Sequence, residues 1–144
     1  MKRVFLGILV ILPLASCVTI INEPKPAATG QTGRERPQVR GALSGRRQIL
    51  VSFYANAADC TSLGYPTLKV AVAPKHGKVS IEQGAALADF GDGDARKACN
   101  GQTVPATVIY YTSDEGFVGE DSAAFERIGV RGAYGYHVYT INVR

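Results

Sequence analysis

The sequence has little of what catalytic chemistry usually requires. It contains only two histidines and three cysteines in 144 residues, and no C-x-x-C pair. The G-x-S-x-G, H-E-x-x-H and phosphate-loop motifs are also absent. His76 falls in a predicted turn and His137 in a predicted strand, and neither has a recognisable partner pattern. We therefore expect no catalytic residue and predict that the protein is not an enzyme.

Acidic residues are few, but they cluster in two predicted loops. These residues are Asp89, Asp92 and Asp94 in the first loop, and Asp114, Glu115, Glu120 and Asp121 in the second. Clustered carboxylates can bind Ca²⁺, but the spacing does not fit an EF-hand loop and no bidentate glutamate follows. We predict solvated turns that bind no metal and no other cofactor.

The net charge of +4 is unevenly distributed along the chain. Residues 18–47 hold six basic and two acidic side chains, whereas residues 48–144 hold eight basic and ten acidic ones. A nucleic-acid-binding domain carries its positive charge on the folded part. This distribution argues against a nucleic-acid partner.

The chain begins with a pattern typical of export. Lys2 and Arg3 precede an apolar run over residues 4–14, as in the hydrophobic region of a signal peptide. The order Leu-Ala-Ser-Cys that ends at Cys17 resembles the lipobox of bacterial lipoproteins. The resemblance implies cleavage before Cys17 and a diacylglycerol thioether on its sulfur. An ordinary signal peptide and an uncleaved membrane helix over residues 4–21 are the alternatives.

Two or more acyl chains hold a protein stably on a membrane. Val18 follows Cys17, where an aspartate resembles the inner-membrane retention signal of enterobacterial-type lipoproteins. We therefore expect a cell-envelope protein of the outer membrane, facing the periplasm or the surface. Its first partner would be the membrane itself, through the anchor on Cys17.

Cys60 and Cys99 remain once Cys17 is set aside. An even pair in an exported chain predicts a disulfide. The two residues are 39 apart, and closing such a loop contributes about 4 kcal/mol in the chain-entropy model. A metal-binding or catalytic role of these cysteines is the alternative.

The mature chain divides into a linker and a domain. Residues 1–16 would be the signal peptide, residues 17–47 a lipid-anchored flexible linker poor in large apolar residues, and residues 48–144 a folded domain. Short runs of alternating or β-branched residues predict six strands, at 49–54, 67–73, 78–82, 106–112, 121–128 and 134–143. Residues 82–90 alone show a weak helical period. The fold class is therefore predicted as an all-β, antiparallel β-sandwich.

Two turn motifs support a more specific prediction. "PKHGKV" (74–79) and "YYTSDEGFVGEDS" (110–122) resemble the hairpin and loop signatures of bacterial Ig-like, cadherin-like repeat domains. The resemblance implies an Ig-like sandwich in which Phe117 is a buried plug at one end. It also implies a left-handed conformation at Gly77 and an Asp121 carboxylate that accepts loop N–H groups. Residues 84–105 depart from the pattern as an insertion that carries Cys99.

These features predict a lipid-anchored envelope protein with a non-catalytic Ig-like domain for a structural or binding role. Its partner would be peptidoglycan or another envelope protein. A peptidoglycan- or glycan-binding module and a small periplasmic hydrolase are the alternatives. An exposed strip of tyrosines would favour glycan binding, although core and cross-strand packing explains them more simply. These tyrosines are Tyr110, Tyr111, Tyr134, Tyr136 and Tyr139.

Overall fold

The computed structural model describes residues 36–144, so the signal peptide and Cys17 lie outside the described residues. The described part contains seven strands and one turn of 3-10 helix at Lys97–Cys99. The strands are β1 (Gln38–Ala42), β2 (Arg47–Tyr54), β3 (Thr67–Val72), β4 (Gly77–Leu87), β5 (Thr103–Ser113), β6 (Gly119–Ile128) and β7 (Tyr134–Val143). Between residues 36 and 144, no helix is long and apolar enough to cross a membrane.

The strands form two sheets, with the orders β1-β7-β6-β3 and β2-β5-β4. Neighbours pair antiparallel except β1 and β7, which are parallel. The three-stranded sheet has the order of immunoglobulin strands B, E and D, and β3, β6 and β7 have the order of C, F and G. The predicted all-β sandwich is confirmed.

The main core lies between the sheets. Its fully buried side chains include Ile109, Tyr111, Phe125, Tyr139 and Ile141. The alternation predicted for β7 is correct, because the inward positions from His137 to Val143 are all buried. Alternation therefore identified the buried face of this strand.

A second, smaller core lies under the loop between β4 and β5. Ala88, Phe90 and Cys99 pack with Val104, and the Tyr54 ring meets the Phe90 ring edge-on at 5.4 Å. The predicted Cys60–Cys99 disulfide is present, with 5.4 Å between the Cα atoms. The predicted insertion was too wide at both ends, since β4 extends to Leu87 and β5 begins at Thr103.

The predicted linker boundary at residue 47 was too late. β1 (Gln38–Ala42) and the first residue of β2 lie within the supposed linker. β1 has one large apolar residue, Val39, which is exposed, so hydrophobic pattern could not reveal it. Backbone pairing with β7 holds the strand, and Arg40 donates a hydrogen bond to the Leu50 carbonyl at 3.3 Å.

Two details of the predicted strands were wrong. The strand predicted at 78–82 continues to Leu87, because its backbone pairs with β5 along the whole hairpin. Regular alternation over the predicted strand 67–73 would put Leu68, Val70 and Val72 on one face. Val72 does not share that face, because the pairing of β3 with β6 shifts between Val70 and Val72. Such a shift moves the following side chain to the other face of the sheet.

Candidate functional site

A cleft of about 190 Å³ opens at the end of the sandwich where β2 and β6 finish and β7 begins. Three arginines line it, Arg96, Arg127 and Arg131. The other lining residues are Tyr54, Ala55, Asn56, Leu63, Gly129, Val130 and Ala133. We term this site the arginine cleft. Its lining combines positive charge with small apolar side chains.

Arg127 is half-buried in this cleft, whereas Arg131 is exposed. It lies two residues after the buried Phe125 on β6, so its side chain starts on the inner face of the sheet. Its Nε donates a hydrogen bond to Nε2 of His137 at 3.2 Å. Among residues 36–144, no carboxylate forms an ion pair with Arg127 or Arg131. A half-buried cation without a counter-charge favours the binding of an anion.

Gly135 on β7 makes room for this guanidinium group. A Cβ atom at this position would lie 2.8 Å from Nε2 of His137 and 3.2 Å from Nη2 of Arg127. The first distance is shorter than carbon and nitrogen atoms tolerate. Glycine at this position therefore leaves room for the Arg127 guanidinium and the His137 ring.

Arg96 differs from the other two because its charge is compensated. Its Nε and Nη2 atoms donate to the two carboxylate oxygens of Asp94 at 2.8 and 2.5 Å, and its guanidinium lies 4.4 Å from the Phe90 ring centre. The side chain and then the backbone N–H of Arg96 hold the pKa of the Asp94 carboxyl at about 2. The net positive charge of the cleft therefore comes from Arg127 and Arg131.

The disulfide joins two walls of the arginine cleft. Cys60 lies in the turn that supplies Ala55, Asn56 and Leu63, whereas Cys99 lies in the loop that supplies Arg96. Asn56 is 4% exposed, and its Nδ2 donates to the Cys60 carbonyl at 2.9 Å. The two cysteines predicted from sequence therefore fix the shape of a site that the sequence did not reveal.

Asp121 has the role that the resemblance implied. Its carboxylate accepts hydrogen bonds at 2.8 to 3.0 Å from the backbone N–H groups of Lys75, His76 and Ser122 and from the Tyr111 hydroxyl. Burial raises the pKa of the Asp121 carboxyl, but these donors outweigh burial and the net pKa is lowered. Burial and the bond to Asp121 also raise the pKa of Tyr111. Asp121 is thus a structural residue.

The first acidic loop is occupied by ion pairs. Asp92 pairs with Lys97, and Asp94 pairs with Arg96. Within residues 36–144, no three His, Cys, Asp or Glu side chains are grouped as metal ligands. Two of the three carboxylates in this loop therefore already form ion pairs within the chain.

Gly77 is required for a reason other than the predicted one. It does not adopt a left-handed conformation. A Cβ atom there would lie 2.5 Å from the Thr112 carbonyl oxygen, so close packing of β4 against β5 excludes any side chain. The prediction of a glycine requirement was correct, and its conformational explanation was wrong.

Phe117 is half-buried, not the buried plug that was predicted. One part of the ring packs against the main core, and the ring stacks on His76 with 4.2 Å between centres. His76 is itself exposed, so this end of the sandwich is only partly closed.

We expect Phe117→Ala to lower the free energy of unfolding by about 1–2 kcal/mol, because about half of the side chain's burial is lost. The melting temperature should fall by roughly 4–8 °C per kcal/mol. Val118→Ala is the control. Because Val118 is 68% exposed, this variant should have the melting temperature of wild type. A fall in melting temperature of less than roughly 2 °C for Phe117→Ala is what an exposed residue would give, and it would contradict the packing role of Phe117.

The tyrosines do not form one strip. Tyr111 and Tyr139 are buried in the core, and Tyr110 lies under the guanidinium of Arg47 at 3.5 Å on the three-stranded sheet. Tyr134 and Tyr136 are on β7, in the other sheet. The five tyrosines therefore do not form the single exposed strip that a glycan platform would need.

A larger groove of about 530 Å³ lies over the outer face of the four-stranded sheet. Val72, Ala124 and Val138 contribute to its mainly apolar lining, and Arg36 and Pro37 form one wall. These two are the first described residues, and Arg36 is the groove's one charged lining residue. The arginine cleft therefore offers more specific chemistry despite its smaller volume.

Comparison with known proteins adds no family. No protein-family model matches the chain, and no curated protein matches it. Among solved structures, the chain is similar to the solution structure of amebosin, at 12% identity and a TM-score of 0.41. The alignment covers 74% of this chain and 88% of that one. A likeness this weak supports no conclusion about function.

Proposed function

We propose that the chain is a lipid-anchored protein of the bacterial cell envelope whose β-sandwich is a non-catalytic binding domain. The observation that carries this proposal is the Cys60–Cys99 disulfide, in which the Cys99 side chain is completely buried. Structural disulfides form and persist in oxidising compartments outside the cytosol. The disulfide therefore agrees with the export pattern before Cys17.

The binding role follows from where the disulfide lies. It joins two walls of the arginine cleft, so the bond stabilises the shape of a charged concave surface as well as the fold. The predicted linker after Cys17 would present this surface to another envelope component. We place the protein at the outer membrane, with the membrane as its anchor.

Growth of expressing cells with labelled palmitate tests the anchor. We expect label on the wild-type protein and none on Cys17→Ser, because the thiol is the group that accepts the lipid. Cys99→Ser is the matched control, since it removes a different thiol and should remain labelled. Equal labelling of Cys17→Ser and wild type would refute the anchor.

A further inference from the structure

We infer that the arginine cleft binds the terminal carboxylate of a peptide that ends in a small aliphatic residue, as the stem peptides of peptidoglycan do. The inference rests on the proposed function for the compartment in which such a ligand occurs. The cleft itself supplies the chemical argument, through its charge, its apolar walls and its volume.

The charge in the cleft selects an anion with planar geometry. Arg127 is held from one side by His137 and has no carboxylate partner among residues 36–144, and Arg131 lies nearby on the exposed β6–β7 loop. Guanidinium groups present N–H donors in a fork that matches two carboxylate oxygens. Two such groups lining one cavity can bind a carboxylate from different sides.

Asp94 limits the positive charge that a ligand meets. Its ion pair with Arg96 neutralises one of the three arginines in the lining. The guanidinium groups of Arg127 and Arg131 then remain to bind a carboxylate of the ligand.

The apolar walls indicate what the carboxylate is attached to. Ala55, Leu63, Val130 and Ala133 line the same cavity as the arginines, and Leu63 and Val130 are 38% and 39% exposed. A methyl side chain beside the carboxylate would cover this apolar surface, whereas a lipid phosphate would leave it in water. The volume of about 190 Å³ suits a single small residue.

The test measures fluorescence anisotropy of an acetylated Lys–D-Ala–D-Ala peptide with fluorescein on its lysine. The full-length protein is used in detergent micelles, at concentrations up to about 1 mM, the weak end of specific binding. We expect saturable binding of the free acid and at least about tenfold weaker binding of the C-terminal amide, because a hydrogen bond to a charged group is lost. Equal binding of acid and amide would overturn the inference.

Arg131→Gln should weaken binding about tenfold, and this exposed residue does not hold the fold together. Arg46→Gln removes the same charge from an exposed turn outside the cleft and should leave binding unchanged. Gly135→Ala keeps every charge but displaces Arg127, and it should also weaken binding. Unchanged binding by both Arg131→Gln and Gly135→Ala would overturn the inference.

Phosphatidylglycerol added to the micelles distinguishes the other source of an anion. A lipid phosphate that occupies the cleft would displace the peptide at low lipid content, and the free acid would then bind no better than the amide. These two results together would assign the cleft to a lipid phosphate and overturn the inference. Failure of the peptide to bind leaves palmitate labelling of Cys17 unaffected. Loss of that labelling would refute the anchor and leave peptide binding by the purified chain intact.

Discussion

Replacing both Cys60 and Cys99 with alanine should lower the free energy of unfolding by about 4 kcal/mol, because the unfolded chain regains the freedom of a 39-residue loop. Cys99 is fully buried in the smaller core, so lost packing adds to this effect. At roughly 4–8 °C per kcal/mol, the melting temperature should fall by well over ten degrees.

Thermal unfolding of the full-length protein in detergent measures this effect. Reductant should lower the melting temperature of wild type toward that of the double variant and leave the variant itself unchanged. Two thiols alkylated at Cys60 and Cys99 without reductant would contradict the disulfide. The variant should also bind the peptide less well, because no covalent bond would hold the loop of Arg96 against the turn of Asn56.

Asp121→Asn should be the second most damaging change. An amide nitrogen replaces one carboxylate oxygen and faces donors such as the Tyr111 hydroxyl or the His76 N–H. Each buried donor left without an acceptor costs about 1–3 kcal/mol, so we expect a loss of about 3 kcal/mol and a melting temperature lowered by more than ten degrees. Asp114→Asn is the control, because Asp114 is exposed in the loop that precedes β6; this variant should melt like wild type.

Acid should destabilise wild type more steeply than Asp121→Asn. The pKa of Asp121 is lowered in the folded protein, so its contribution is present above the unfolded pKa of about 3.9 and is lost as the pH falls through the folded pKa. Asp94 contributes in the same direction, with a folded pKa of about 2. Parallel melting profiles of wild type and Asp121→Asn between about pH 5 and pH 2 would contradict the role of this carboxylate.

Strand prediction succeeded where side chains alternate and failed where backbone pairing alone decides. β7 (Tyr134–Val143) was predicted at its full length, because its inward residues are large and apolar. β1 was missed because Val39, its one large apolar residue, is exposed. The end of β4 was missed because the alanines and glycine there carry little strand signal, and pairing with β5 overrides local preference.

The arginine cleft could not be predicted from pattern. Arg96 comes from the loop between β4 and β5, whereas Arg127 and Arg131 come from the β6–β7 hairpin. Only the Cys60–Cys99 pair offered a signal, since a disulfide predicts that two distant loops meet. The sequence contained no cue that arginines would gather beside that meeting point.

The sequence by itself determined the cysteine pairing and the β-sandwich, because the pairing follows from counting and the strands from local composition. The export pattern that ends at Cys17 stays a prediction. Tertiary structure alone decided the role of Arg127. Its half-buried guanidinium, the space left by Gly135 and the neutralisation of Arg96 by Asp94 depend on which loops meet at the end of the sandwich. Electrostatic fields depend on distances in space, and spacing along a chain that crosses between two sheets does not encode those distances.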